Sequence, residues 1–326
     1  MKIAFVGKGG TGKSTLSALF TRWMTDQAGL EVLGIDADIN MHLGQLLGTD
    51  VPDHIHMALP SVATGVKDML RGSNPRIESA DKMLPTTPPG AGSTVLTDIN
   101  DKALDPFAVP LGIDPASRLM VVGSYDKEGI GQTCYHSHLF IAENLLTHLW
   151  PKDGQAVLCD MVAGTDAFAY SMHLQFDAIC LIVEPTPESV GVWSLFSELS
   201  EEAEMLPLVH IIANKVEDED DLDYIRQHTE REPIAVIPYI SKLKKARQRG
   251  GVAELSDLPN AAELFAPVLE AAQNPSLDKV ERFGLLKKLH EKLNQKGWVQ
   301  TGYGDVMGQV DPEGQPPALD TVAEPA

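Results

Sequence analysis

Two hydrophobic rhythms take turns along this chain. Short solid apolar runs occur at Ile3-Ala4-Phe5-Val6, Val32-Leu33-Gly34-Ile35, Ala156-Val157-Leu158-Cys159, Ala178-Ile179-Cys180-Leu181-Ile182-Val183 and Val209-His210-Ile211-Ile212-Ala213, with a last one from Pro233 to Ile237. Runs this short, with His210 as the single polar interruption, suit strands buried on both faces of a parallel sheet. Between them apolar residues recur at helical spacing, as at Leu16 to Met24, Val62 to Leu70 and Leu139 to Leu149. Strand and helix patterns in alternation predict an α/β fold, a doubly wound and mostly parallel sheet flanked by helices. The expected division is a main domain over 1–275 with a long connection at 50–118, a C-terminal amphipathic helix within 276–306, and a disordered tail at 307–326.

The junction between the first strand and the first helix carries the clearest chemistry. Gly7-Lys8-Gly9-Gly10-Thr11-Gly12-Lys13-Ser14-Thr15 has the spacing G-x4-G-K-S of a phosphate-binding loop. Glycines let consecutive backbone N–H groups curl around a phosphate without Cβ clashes. The helix that starts here turns its positive end toward the same anion. Lys13 is placed to reach the β- and γ-phosphates, and the Ser14 hydroxyl to ligate Mg2+.

Lys8 is an extra lysine that an ordinary phosphate loop does not need. The form K-G-G-x-G-K-S resembles the deviant Walker A loop of a class of P-loop ATPases. That class includes the chromosome-partition and septum-positioning ATPases, the nitrogenase iron protein, the arsenite-pump ATPase and the carbon-monoxide-dehydrogenase maturation ATPases. The resemblance implies ATP hydrolysis by a nucleotide-sandwich homodimer, in which Lys8 crosses to the partner's nucleotide and meets transition-state charge as an arginine finger does. Further elements fit the same pattern. Asp36-Ala37-Asp38 ends the second strand, where carboxylates lie at the ligand crevice of an open α/β sheet. By resemblance Asp38 orients the attacking water and Asp36 supports the Mg2+ shell; a helix-capping role for Asp38 is the plainer alternative. Asp160 followed by Met161-Val162-Ala163-Gly164 resembles the D-x-x-A-G of Walker B and switch II, which gives Asp160 a Mg2+-bound water and Gly164 a γ-phosphate contact. Asn214-Lys215 resembles the adenine-recognition step, with Pro238 and Tyr239 on the other side of the base. In order and spacing, residues 1 to about 250 most resemble the maturation ATPase group.

That group holds a C-x-C pair before a helix, where two subunits pool cysteines around a metal. This chain has Cys134-Tyr135-His136 instead. One Cys and one His per subunit give four N/S ligands across a two-fold axis, which suits Zn2+ or Ni2+ better than an iron–sulfur cluster. A purely structural role for Cys134 and His136 stays open beside this one. So do two functions: a metallochaperone-like maturation ATPase that needs those residues, and a positioning or scaffolding ATPase that recruits a protein, DNA or membrane partner.

Composition narrows the partners. The chain has 326 residues and a net charge of −20, a field that repels nucleic-acid backbones. The one short basic segment, Lys242 to Arg249, reads as a solvated helix face. Leu277, Val280, Phe283, Leu286, Leu289 and Leu293 recur at helical spacing with basic residues between them, and packing on the domain is the reading preferred over membrane binding. No signal segment or membrane-length apolar run is visible, and three cysteines argue against disulfides, so a cytoplasmic location is expected. Cys159 and Cys180, inside strand patterns, read as core thiols.

Overall fold

The computed structural model describes residues 1–124, 135–161, 165, 168 and 171–316; for Tyr135, His136, Ser137 and Arg247 it describes the backbone alone. The first apolar run forms β1 (Lys2–Val6), buried along its whole length. Ile3 and Phe5 enter one hydrophobic layer, and Ala4 and Val6 the other. This follows from the strand period of two and explains why the run has no polar face. The loop then leads into α1 (Lys13–Asp26), β2 (Glu31–Ala37) and α2 (Leu43–Leu47). The long connection contributes α3 (Pro60–Arg71), β3 (Val109–Leu111) and β4 (Asp114–Val121). After these come α4 (Tyr135–His148), β5 (Gln155–Met161), β6 (Ala178–Val183), α5 (Pro187–Glu202), β7 (Val209–Val216), α6 (Glu219–Thr229), β8 (Ala235–Pro238) and α7 (Ser241–Gln248). The chain continues through α8 (Ala261–Gln273), α9 (Lys279–Asn294) and α10 (Gly297–Gly302).

The strands form one eight-stranded sheet in the order β3-β4-β2-β5-β1-β6-β7-β8. Among the described residues only the β3–β4 pair is antiparallel. Helices α1, α2 and α8 pack on one face, where Phe20 stacks on Phe5 and meets Phe265. Helices α3, α4, α5 and α6 cover the other face. The chain leaves β1 on one side for β2 and later on the other for β6, so the strand order reverses beside β1, where ligands bind in open α/β sheets.

Two parts differ from the sequence-based reading. The 50–118 connection was expected to hold only a short helix, yet its end forms β3 and β4. The first half of β4, Asp114-Pro115-Ala116-Ser117, is too polar to look like a strand. Asp114 pairs with Leu111 of β3 and the Ser117 hydroxyl accepts from the Val32 N–H at 2.8 Å, while the pairing with β2, from Leu33↔Arg118 to Asp36↔Val121, lies in the apolar second half. Within the same connection the Pro- and Thr-rich stretch is buried, not draped over a surface. Thr86 and Thr87 have no exposed area, Asn144 Nδ2 donates to the Leu84 carbonyl at 2.6 Å, and Thr87 Oγ1 donates to Gln309 Oε1 at 2.7 Å.

The C-terminal pattern forms α9, opened by an Asp278–Glu281 capping box and packed through Phe283, Leu286 and Leu293. Buried Arg282 pairs with buried Asp177. Val280 remains exposed. The tail expectation is narrowed at its start: Met307–Gln309 form a 3-10 turn, Gln309 is buried, and Lys287 Nζ donates to the Gly314 carbonyl at 2.6 Å. Residues 317–326 lie outside the described residues. Among the described residues no helix is long and apolar enough to cross a membrane.

Glu143 of α4 is buried, and its Oε2 accepts from the Ser171 N–H and hydroxyl, both at 2.7 Å. Burial pushes its carboxyl up to about 7, against the pull of the two Ser171 bonds. The folded protein therefore holds a proton that the unfolded chain has lost above about pH 4.5. Stability falls as pH rises from there through 7, and above 7 the full penalty remains. Glu143→Gln keeps an acceptor for Ser171 and removes the ionisation. At pH 9 it should be more stable than the parent by up to roughly 3 kcal/mol, with the gain vanishing near pH 4. Urea midpoints across that range check this; a gain that ignores pH would contradict it.

Candidate functional site

The loop between β1 and α1 sits at the carboxyl end of the central strand, at the reversal of strand order. Gly7 and Gly12 take backbone conformations that only glycine adopts freely, with φ of 141° and 97°. Thr11 Oγ1 closes the loop by donating to the Lys8 carbonyl at 2.9 Å. Lys13, buried, donates from Nζ to the same carbonyl at 3.4 Å, so its ammonium is drawn into the loop. Gly9 and Gly10 are exposed at the rim, and Ser14 and Thr15 begin α1 half-buried. Lys8 is also half-buried.

The floor is acidic. The register of β2 on β5 sets Asp36 directly beside Asp160, both fully buried. Asp36 accepts from the Asp38 N–H at 3.2 Å and the Leu43 N–H at 2.8 Å. Ser17 Oγ donates to Asp160 Oδ1 at 3.1 Å, while Asp160 Oδ2, equally buried, has no hydrogen-bond partner among the described residues. Burial raises both carboxyls, and the Asp160 charge adds to the rise at Asp36. Lys13 and the Ser14 hydroxyl oppose the rise at Asp160. A divalent cation would reverse this balance, because it favours ionised carboxylates and satisfies the unpartnered oxygen. Asp160, Asp36 and Ser14 therefore fit Mg2+ as a hard oxygen donor set.

Asp38 follows at the edge of the same floor and is buried. Its Oδ1 accepts from the Asn40 N–H at 2.9 Å and from Asn40 Nδ2 at 3.0 Å. It caps this turn and does not cap α2, whose N-terminal flank is His42 and has no side-chain cap. Asn40 was not singled out in the sequence, although an Asp bonding the backbone two residues on is a local turn signal. His42 was also missed and lines the same cleft.

On the far wall, β7 carries a bulge against β8 between Asn214 and Val216. Lys215 is the extra residue, in left-handed backbone at φ 62°. The bulge turns both side chains onto the loop: Asn214 Nδ2 donates to the Thr11 carbonyl at 2.6 Å and Lys215 Nζ to the Gly10 carbonyl at 2.7 Å. Pro238, Tyr239 and α7 complete the wall of a cleft of about 610 Å3, which also contains Gly9, Gly10, Gly12, Lys13, Ser14, Thr15 and Asp38. This is within the ordinary size of a small-molecule site. The basic segment is not wholly a solvent face, because Lys244 and Gln248 of α7 line the cleft.

The structure thus brings together the loop, Asp36, Asp38, Asp160, Asn214, Lys215 and Pro238. Gly164 and Cys134 lie outside the described residues, as does the side chain of His136. Among the described residues no group of His, Cys, Asp and Glu is arranged to hold a transition metal. Cys159 and Cys180 are buried free thiols, as their strand positions suggested.

Comparison with known proteins agrees with this geometry. The family described as the CobQ/CobB/MinD/ParA nucleotide binding domain matches residues 3–252. The chain is 28% identical over 254 residues to the carbon monoxide dehydrogenase accessory protein CooC of Rhodospirillum rubrum, a match covering 77% of this chain and 88% of that protein. It is 29% identical over 279 residues to an uncharacterised ATP-binding protein of Methanocaldococcus jannaschii, covering 81% of this chain and 99% of the relative. In fold it is similar to a ParA family ATPase from Chlorobium tepidum, with a TM-score of 0.55, 18% identity, and coverage of 84% of this chain and 97% of that one.

Proposed function

The chain belongs to the CobQ/CobB/MinD/ParA family of nucleotide-binding domains, and from that premise we propose that it is an ATP-hydrolysing switch that works as a nucleotide-sandwich homodimer in metalloenzyme maturation. One observation carries the hydrolytic part: the buried Asp36–Asp160 pair, whose Asp160 Oδ2 has no hydrogen-bond partner among the described residues, feels the Lys13 charge and the Ser14 hydroxyl, and Lys13, Ser14 and Asp38 line the cleft. The loop N–H groups and Lys13 hold the β- and γ-phosphates. Ser14, Asp36 and Asp160 would hold Mg2+, partly through water, and the ion would neutralise charge on the phosphate oxygens. Asp38, oriented by Asn40, positions a water. The water oxygen bonds to the γ-phosphorus while the bond from that phosphorus to the β–γ bridging oxygen breaks. ADP leaves with the bonding pair, and the water proton passes to phosphate. Lys8 of the partner subunit meets the developing charge. Loss of the γ-phosphate then frees the Gly164 segment and the dimer.

The maturation role rests on the relationship to the CooC protein and on Cys134 with His136, which would share Zn2+ or Ni2+ cargo across the dimer axis. Asp38→Ala with ATP and Mg2+ is expected to accumulate a dimer that turns over on the order of a hundredfold more slowly. That dimer should retain one transition-metal ion after desalting, and Cys134→Ser should lose it. Light scattering coupled to elemental analysis reads both. A stable dimer without metal would leave the switch and remove the maturation role, in favour of an ATPase that positions a partner. Lys8→Ala should bind ATP nearly as the parent does and hydrolyse it at least tenfold more slowly. Parental turnover in that variant would remove the cross-subunit role of Lys8.

A further inference from the structure

The loop is held by a carboxylate that takes no part in the chemistry above. Glu184 follows β6, and its Oε2 accepts from Lys215 Nζ at 2.6 Å. The same ammonium donates to the Gly10 carbonyl at 2.7 Å. Glu184 is itself held: its N–H donates to the Ser189 hydroxyl at 3.0 Å, at the start of α5. The side chains are partly shielded, with relative exposures of 18% for Glu184 and 38% for Lys215. Three elements thus meet at one point: the end of β6, the bulge of β7 and the glycine loop.

Lys215 occupies left-handed backbone, unfavourable for a residue with a Cβ, so its position must be over-determined by its contacts. The Glu184 carboxylate and the Gly10 carbonyl supply two charge-assisted bonds on one ammonium. Gly10 itself is exposed, has φ 92°, and a Cβ built there would meet nothing within 4 Å. Two hydrogen bonds therefore hold the Gly10–Thr11 peptide: its N–H donates to the Lys8 carbonyl at 3.3 Å inside the loop, and its carbonyl accepts from Lys215, the tie that reaches outside the loop. The orientation of that peptide decides whether the loop N–H groups converge on an anion.

We propose that Glu184 is a positioning residue for the phosphate loop: it fixes the Lys215 ammonium, which holds the Gly10 peptide in the conformation that receives the nucleotide's phosphates. The inference rests on the reading of the cleft as a nucleotide site. Glu184 touches neither nucleotide nor Mg2+ in this role. Its contribution is preorganisation, so that binding does not have to order the loop.

The test is a double-mutant cycle on ADP affinity by titration calorimetry, with Glu184→Gln, Lys215→Gly and the pair. Lys215→Gly is the informative partner, because glycine accepts the left-handed backbone and removes the side chain with its ammonium without adding backbone strain. Each single variant should weaken ADP binding on the order of tenfold, and the pair should lose little more than either alone. Glu184→Asp, which keeps the charge, should recover part of the affinity. The melting temperature without nucleotide should stay near the parent's in Lys215→Gly. Additive losses would overturn the proposal, because the two residues would then act separately. Parental ADP affinity in Glu184→Gln would overturn it too. A failure of the parent protein itself to bind ADP would instead strike the nucleotide-site reading, which separates the two outcomes.

Discussion

Lys13→Ala is expected to abolish measurable ATP binding, a loss of at least a hundredfold, while the protein stays folded. The ammonium is buried at the first position of α1 and draws on one long bond, 3.4 Å to the Lys8 carbonyl. Little folding energy depends on that contact, and alanine is the best helix former available to replace it. Nucleotide binding depends on it heavily. Charge-assisted bonds to phosphate contribute roughly 1.5–3 kcal/mol each. Two such bonds, lost in a site whose floor already carries Asp36 and Asp160, correspond to at least about a hundredfold in affinity. Without Lys13, the Asp160 carboxyl also loses a charge that opposes its rise. Calorimetry with ATP and Mg2+ and a thermal melt of the same sample read the two halves of the prediction. A loss below tenfold would mean that the loop backbone alone holds the phosphates.

Gly7→Ala should damage the fold itself. A Cβ at Gly7 would lie 2.6 Å from the Ile182 carbonyl oxygen and 3.4 Å from the Ile182 nitrogen. Both are backbone atoms of β6, next to β1 in the middle of the sheet, so they cannot swing aside as a side chain would. The φ of 141° adds strain for any residue with a Cβ. The expected cost is about 3 kcal/mol or more, with disordering of the loop and loss of nucleotide binding. Gly10→Ala is the matched control. It shares the positive φ but meets open space, so it should lose much less stability. Urea unfolding of the two variants checks the ranking; equal losses would mean that strain, and not the contact with β6, governs the position.

Much of the fold was legible because a strand buried on both faces must be apolar at every position. Six strands could be read in this way. The strand β4 could not, since its polar first half is held by its neighbours in the sheet, Asp114 by Leu111 of β3 and Ser117 by the Val32 N–H of β2. The buried Thr86 and Thr87 were hidden for a similar reason: polar side chains are buried when partners such as His290 and Gln309 arrive from distant parts of the chain. In the site, Asp36, Asp38 and Asp160 were marked by their places at strand ends, and Asn214 and Lys215 by resemblance. Lys244 and Gln248 gave no signal of a place in the cleft, because a basic helix looks the same in sequence whether it faces water or a ligand.

The phosphate loop, its two lysines and the succession of strands and helices can be read from the chain alone. These depend on backbone conformations and burial patterns within a few neighbouring residues. The tertiary structure decided what those parts face. Asp36 and Asp160 become a coupled pair only through the register of β2 on β5. Lys215 reaches the Gly10 carbonyl only because β7 bulges beside β8. The α9 pattern becomes a packed helix because Phe283 and Leu286 meet Trp150, Leu174 and Leu208, and buried Arg282 meets Asp177. Each of these joins residues far apart in the chain, and such contacts are set by strand order and register, which no local pattern encodes.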